Sequence, residues 1–194
     1  MDNTTLNAIV RPLSSPRYEV DIGLARLQQM LDNFSQDYGG LELEPDFQRG
    51  HVWLPAQQQH FIENMMRGIV STAGLVIQFN CPNWNDSGYS GELPRGLQCL
   101  DGLQRITAVK AWFDGKVKPF DLSLEDLKGS LFDPARMTYR FRLAVYDFQT
   151  REALLTHYLD LNAGGTPHSE AELARVRDLL ASARPSTSSR PVFR

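Results

Sequence analysis

The sequence predicts an α+β domain, with short strands mixed among helices. Apolar residues at helical spacing, as in Ile22, Leu24, Leu27, Met30, Leu31 and Phe34, mark helices. Short β-branched and aromatic runs, such as Leu75 to Phe79 and Met137 to Phe148, mark strands between them. The two kinds of segment do not alternate strictly, which separates this pattern from a doubly wound parallel sheet.

The first helix is expected from Asp21, a side chain suited to an N-cap, to Gln36, and Gly39-Gly40 ends it. Leu41-Glu42-Leu43 alternates and reads as a short strand before Pro45. A second helix opens at Pro55, where the missing N–H of proline is harmless, and runs through Phe61, Ile62, Met65 and Met66 to Gly68. Leu75 to Phe79 reads as the central strand, and Asn80 to Gly96, rich in Pro, Asn, Ser and Gly, as a loop or hairpin connection. Leu97-Gln98-Cys99-Leu100 is a short buried strand. Leu103 to Phe113 is a helix, closed by a turn at Asp114-Gly115. Beyond the Met137 to Phe148 strand, helices are expected from Arg151 to Leu161 and from Glu170 to Leu180, divided at Gly164-Gly165. Ser, Pro and Arg dominate from Ala183. Residues 1–182 are therefore expected to form one domain and 183–194 a flexible basic tail.

Composition bounds the function. The chain has 194 residues, 42% apolar and 22% charged, in the range of an ordinary globular protein. No run of about 18 apolar residues occurs, so no membrane span is expected. The start, Met1-Asp2-Asn3-Thr4-Thr5, lacks the basic and apolar segments of a secretory signal, and cytoplasmic location is the default expectation. Cys81 and Cys99 have neither the spacing nor the companions for a zinc site or a disulfide framework, and Cys99 reads as a small core residue. A net charge of -3 argues against sequence-independent coating of DNA as the main task, while leaving room for a local basic groove. From Arg175 onward, Arg175, Arg177, Arg184, Arg190 and Arg194 face Asp178 alone, which suits a nucleic-acid contact or a solvated tail equally.

Three polar segments stand out. Leu100-Asp101-Gly102-Leu103-Gln104-Arg105 lies on a strand-to-helix turn, where unpaired backbone N–H groups and the positive end of the helix dipole suit a phosphate or carboxylate. Gly102 permits a sharp turn or close approach to a ligand, Arg105 can fork onto an anion, and Asp101 can accept a proton or help hold a metal. The plain alternative makes Asp101 an N-cap and Arg105 a solvated first-turn residue. In Asp46-Phe47-Gln48-Arg49-Gly50-His51-Val52-Trp53, the Gln48-Arg49 pair is bracketed by Phe47 and Trp53 as core anchors, so the pair is either surface polarity or a functional loop; His51 is a possible base or a bystander. In Tyr158 to Glu170, Asn162 before Gly164-Gly165 fits a helix C-cap, and His168 or Ser169 opens the next helix.

Taken together, these segments resemble the N-terminal domain of the GmrSD type of modification-dependent restriction enzymes, in the ParB/sulfiredoxin-like superfamily. That family has an aromatic-Gln-Arg followed by Val-Trp, matched by Phe47-Gln48-Arg49 and Val52-Trp53, then a Gln-rich apolar helix, matched by Gln57 to Gly68. Its Asp-Gly-Gln-Gln-Arg turn is matched by Asp101, Gly102, Gln104 and Arg105, and its aromatic-x-x-x-Asn by Tyr158 and Asn162, ahead of the run Gly164 to Glu170. The likeness spans roughly Leu41 to Leu173. Leu103 stands where the family turn has its first Gln, and the histidine-metal nuclease domain of the restriction enzymes has no counterpart among the four histidines here.

The resemblance implies a ParB/sulfiredoxin-like mixed sheet with surrounding helices and a stand-alone domain that binds a nucleoside triphosphate, with its hydrolysis as a further implied activity. Asp101, Gln104 and Arg105 would be its catalytic residues, and Gln48, Arg49, Gly102 and Asn162 its nucleotide and phosphate ligands, with Gln48, Arg49, Asp101, Gln104, Arg105 and Asn162 lining one pocket. Asp101 would also hold Mg²⁺. Because Leu103 removes a hydrogen-bonding side chain, hydrolysis is expected less than binding. DNA and a separate nuclease or effector protein are the implied partners, in a restriction-modification or phage setting. Two other classes stand beside this: a small metal-dependent nuclease or phosphodiesterase that acts through Asp101, and a non-enzymatic interaction protein that keeps the fold.

Overall fold

Five strands form one mixed sheet in the computed structural model, which describes residues 1–70, 75–136, 138–163 and 170–183. In chain order they are β1 (Tyr18–Gly23), β2 (Leu41–Glu42), β3 (Val76–Asn80), β4 (Leu97–Asp101) and β5 (Arg140–Tyr146), laid out as β1-β5-β3-β4-β2. β1 runs antiparallel to β5 (Ile22 opposite Phe141), and β5 parallel to β3 (Val76 opposite Arg142). β3 runs antiparallel to β4 (Phe79 opposite Cys99), with an irregularity between Gln78 and Phe79, and β4 parallel to β2. The Leu75 to Phe79 run, apolar but for Gln78, therefore supplies the middle strand, buried on both faces.

Seven α-helices accompany the sheet among the described residues: α1 (Asn3–Val10), α2 (Leu27–Tyr38), α3 (Pro55–Met66), α4 (Leu103–Phe113), α5 (Leu124–Leu127), α6 (Arg151–Ala163) and α7 (Glu170–Ala183). The period-two alternation of the strands divides the core in two. Ile77, Phe79, Cys99, Phe141, Leu143 and Val145 pack with Leu27 and Leu31 of α2, Ile62 and Met65 of α3, and Ile106, Val109 and Trp112 of α4. Leu100, Ala144 and Tyr146 point the other way, against Leu154, Leu155 and Tyr158 of α6 and Val176 of α7. Phe47 joins this second cluster and so anchors the loop after β2 to α6.

The helix expected from Asp21 begins later. Tyr18, Val20 and Ile22 alternate along β1, and the chain passes through a 3₁₀ turn at Leu24–Arg26 before α2. Asp21 lies in the strand, with its carboxylate oxygens 3.1 Å from Arg140 Nε and 3.2 Å from Arg142 Nε on β5; a cross-strand charge pair replaces the expected cap. α1, which buries no residue, is capped by Asp2 accepting from Thr5 N at 2.7 Å, and α5 by a Ser123–Asp126 capping box; sequence periodicity reveals neither short helix. α6 extends past Leu161 to Ala163, and α7 past Leu180 to Ala183, so Ala183 is helical. The remaining tail residues 184–194, the Gly164-Gly165 break with the segment through Ser169, and Met137 lie outside the described residues. No helix among those described is long and apolar enough to cross a membrane.

Candidate functional site

The site is built where β4 hands over to α4. β4 ends at Asp101, and the chain reverses at Gly102 with φ 107° before Leu103 opens the helix. A Cβ on Gly102 would lie 2.5 Å from Ile77 Cγ2 and 3.1 Å from Ile77 Cα, so the turn is pressed against the central strand and only glycine fits there. The N-cap position carries no side-chain cap, which leaves the first turn of α4 without a built-in acceptor.

That turn forms one wall of a cavity of about 410 Å³. Gln48 and Arg49 come to it from the loop after β2, Asp101, Gly102, Gln104 and Arg105 from the turn itself, and Asn162 from the last turn of α6. The seven residues singled out in the sequence thus meet at one place. Leu100, Leu103, Leu161 and Trp53 complete the lining.

The bonds sort the seven into different jobs. Arg105 Nη2 donates to Asp101 Oδ2 at 2.5 Å and to the Val76 carbonyl at 2.7 Å, while its Nε is buried without a partner. The guanidinium is thereby held at the edge of β3 with Asp101 beside it; Asp101 is an ion-pair partner here and not a cap. Arg49 is partly exposed, and its Nη1 lies 3.8 Å from Glu172 Oε2 of α7.

Gln104 turns away from the turn it belongs to. Its Oε1 accepts from Val52 N and Trp53 N at 3.1 Å and lies 3.0 Å from His51 Nδ1, while its Nε2 donates to the Gly50 carbonyl at 3.2 Å. Gln104 is a clamp on the loop before α3. His51 joins that clamp: an amide oxygen only accepts and an amide NH₂ only donates, so Nδ1 donates to Gln104 and Nε2 accepts from Gln58 Nε2 at 2.7 Å. Both ring nitrogens are engaged, and His51 does not line the cavity.

Gln48 is a second clamp. Its Nε2 donates to the Cys99 and Leu100 carbonyls of β4, both at 3.3 Å, and its Oε1 accepts from Tyr158 Oη of α6 at 3.1 Å. Burial pushes the Tyr158 hydroxyl up to about 12, so it stays a donor, and the same cause pushes the Cys99 thiol to about 12 and keeps it protonated. Asn162 lies within α6, where its Nδ2 donates to the Tyr158 carbonyl at 2.7 Å; it is a side chain bonded back along its own helix and not the expected C-cap. Leu103, where the resembled family has Gln, is buried in the main core.

Two features escape sequence reading. Trp53, taken there as a core anchor, is only half-buried and faces the cavity, with Gln104 fixing its backbone. Arg175 of α7 donates to the carbonyls of Asp46, Phe47 and Gln48 at 2.6, 3.4 and 3.1 Å, so α7 holds the loop that carries Gln48 and Arg49. The arginine-rich C-terminal stretch contained this signal, but nothing in it named the carbonyls as partners.

Asp101 is the one carboxylate lining the cavity, and no group of three or more His, Cys, Asp or Glu residues able to hold a metal occurs among the described residues. A lone carboxylate suits Mg²⁺ when phosphate oxygens and waters supply the other ligands, and not as an all-protein cage. No protein-family model, curated protein or solved structure matches this chain.

Proposed function

We propose that the cavity binds the phosphate chain of a nucleoside triphosphate. The observation that carries this reading is the convergence of two guanidinium groups, Arg49 and Arg105, with the uncapped first turn of α4 on one cavity. The arginines neutralise phosphate charge, and the α4 amides donate to phosphate oxygens. Asp101 orients Arg105, and Gln48, Gln104 and Asn162 position the loop and helix around the ligand. The resemblance to ParB/sulfiredoxin-like domains of the GmrSD type supports the same reading. Asp101 would hold a Mg²⁺ brought in with the phosphates, and the ion would supply charge neutralisation there.

Binding is favoured over turnover. Gln104 spends both ends of its amide on the loop, and Asp101 is bonded to Arg105, so neither is placed to orient a water in this arrangement. Within this reading, a nucleic acid or a separate effector protein senses nucleotide occupancy through the loop that α7 holds.

The test is a thermal-shift and calorimetric titration of the full chain with ATP, GTP and CTP, with and without Mg²⁺. A ligand at about 100 times its Kd stabilises the fold by about 2.7 kcal/mol. Arg49→Ala and Arg105→Ala, checked for folding by circular dichroism, are expected to lose that stabilisation. Absence of any response in the folded wild type, or undiminished affinity in both variants, overturns the proposal.

A further inference from the structure

The phosphate cavity is not isolated. Trp53 also lines a groove of about 540 Å³ along α3, together with Ala56, Gln57, His60, Phe61, Asn64 and Val70. Trp53 is therefore a wall common to a cationic cavity and a mostly apolar groove. Resting on the phosphate reading, we propose that this groove takes the nucleobase of the bound nucleotide, stacked on the Trp53 indole, while its phosphates lie against Arg49 and Arg105.

Three observations support that assignment. The first is placement: a nucleotide needs an anionic end and an aromatic end close together, and Trp53 lines two spaces of those characters. The second is rigidity. Trp53 N is bonded to Gln104 Oε1 at 3.1 Å, and the indole lies on Phe61 with ring centroids 5.4 Å apart, so the ring is held before any ligand arrives. The third is chemistry at the rim. Asn64 Nδ2 lies 2.9 Å from His60 Nε2, and the two residues, one helical turn apart, bring to the groove a carboxamide and an imidazole, polar groups of the kind that read the edge of a base. Gln104 then gains a role that joins both halves of the site: from the first turn of α4, beside the arginines, it holds the backbone that presents the stacking face.

The proposal separates cleanly from the phosphate reading because inorganic tripolyphosphate has the charge without the base. Calorimetry on the intact chain with ATP, CTP and tripolyphosphate is expected to show nucleotides binding about 10- to 100-fold more tightly than tripolyphosphate, the span of one base–aromatic stack. Trp53→Ala should remove that margin by weakening ATP far more than tripolyphosphate, while Trp53→Phe keeps most of it. ATP should quench the tryptophan emission of the wild type and lose most of that effect in Trp53→Phe. His60→Ala and Asn64→Ala, on the groove side only, should alter the ATP-to-CTP ratio without changing tripolyphosphate binding. Equal affinity of the wild type for ATP and tripolyphosphate, or an unchanged ATP margin in a folded Trp53→Ala, overturns the base subsite and leaves the phosphate site standing. Failure of both ligands to bind overturns the two together.

Discussion

Gly102→Ala probes the turn on which the whole site rests. The new Cβ would lie 2.5 Å from Ile77 Cγ2, 3.0 Å from Ile77 Cβ and 3.1 Å from Ile77 Cα, and the backbone at φ 107° is one that L residues avoid. Leaving that region costs about 1–2 kcal/mol, and pushing a methyl into a packed core about 1–3 kcal/mol more. Alanine returns about 0.4–1 kcal/mol by restricting the unfolded chain. The net expectation is a loss of about 2–4 kcal/mol, seen as a fall in melting temperature of about 5–15 °C for a chain of this size. Gly115→Ala supplies the control: Gly115 has φ 70° but nothing within 4 Å of an added Cβ, so it carries the backbone penalty alone. The excess of Gly102→Ala over Gly115→Ala in urea unfolding then measures the contact with the central strand. In an Ile77→Ala background that excess should shrink by about 1 kcal/mol or more. A Gly102→Ala protein within about 0.5 kcal/mol of wild type would refute the claim that β3 presses on the turn.

Two further outcomes follow from side chains with unusual surroundings. Gln104→Ala should cost about 1–3 kcal/mol in urea unfolding, because Val52 N, Trp53 N and the Gly50 carbonyl lose their partner, while Gln104→Glu, which keeps the acceptor, should recover most of it; equal loss in both would show that the clamp is not the source. His157 is buried against the stacked rings of Tyr146 and Phe148, and burial holds its pKa below the ordinary 6.5. Between the folded and unfolded pKa the unfolded chain binds the extra proton, so stability is full above 6.5 and declines as pH falls below it. Melting curves from about pH 8 to about pH 5 should show that decline, and His157→Phe should flatten it; an equal slope in the variant would assign the acid loss elsewhere.

How much of this was legible in sequence depended on whether the signal was local. β3, β4 and α4 announce themselves by apolar runs and helical spacing, and the polar turn between β4 and α4 is local as well. β1 was obscured because Ile22 and Leu24 satisfy both a period of two and the start of a helical stripe. What decides between them is Asp21 facing Arg140 and Arg142, residues more than a hundred positions away. The site residues divide the same way. Residue type and motif order bring Gln48, Arg49, Asp101, Arg105 and Asn162 to one pocket, but hydrogen-bonding capacity alone does not reveal which polar groups are already spent. Gln48 and Gln104 each have donor and acceptor atoms that suit a ligand, and each uses them on the protein's own backbone. Trp53 presents the opposite case. An aromatic residue beside apolar neighbours reads as core, and the backbone bond from Trp53 N to Gln104 that helps set its half-exposed position is a contact between residues 51 positions apart. The polar residues of the cavity whose bonding the protein has left incomplete are therefore Arg49, with its long contact to Glu172, and Arg105, with its unpartnered Nε, and not the amides that the motif made conspicuous.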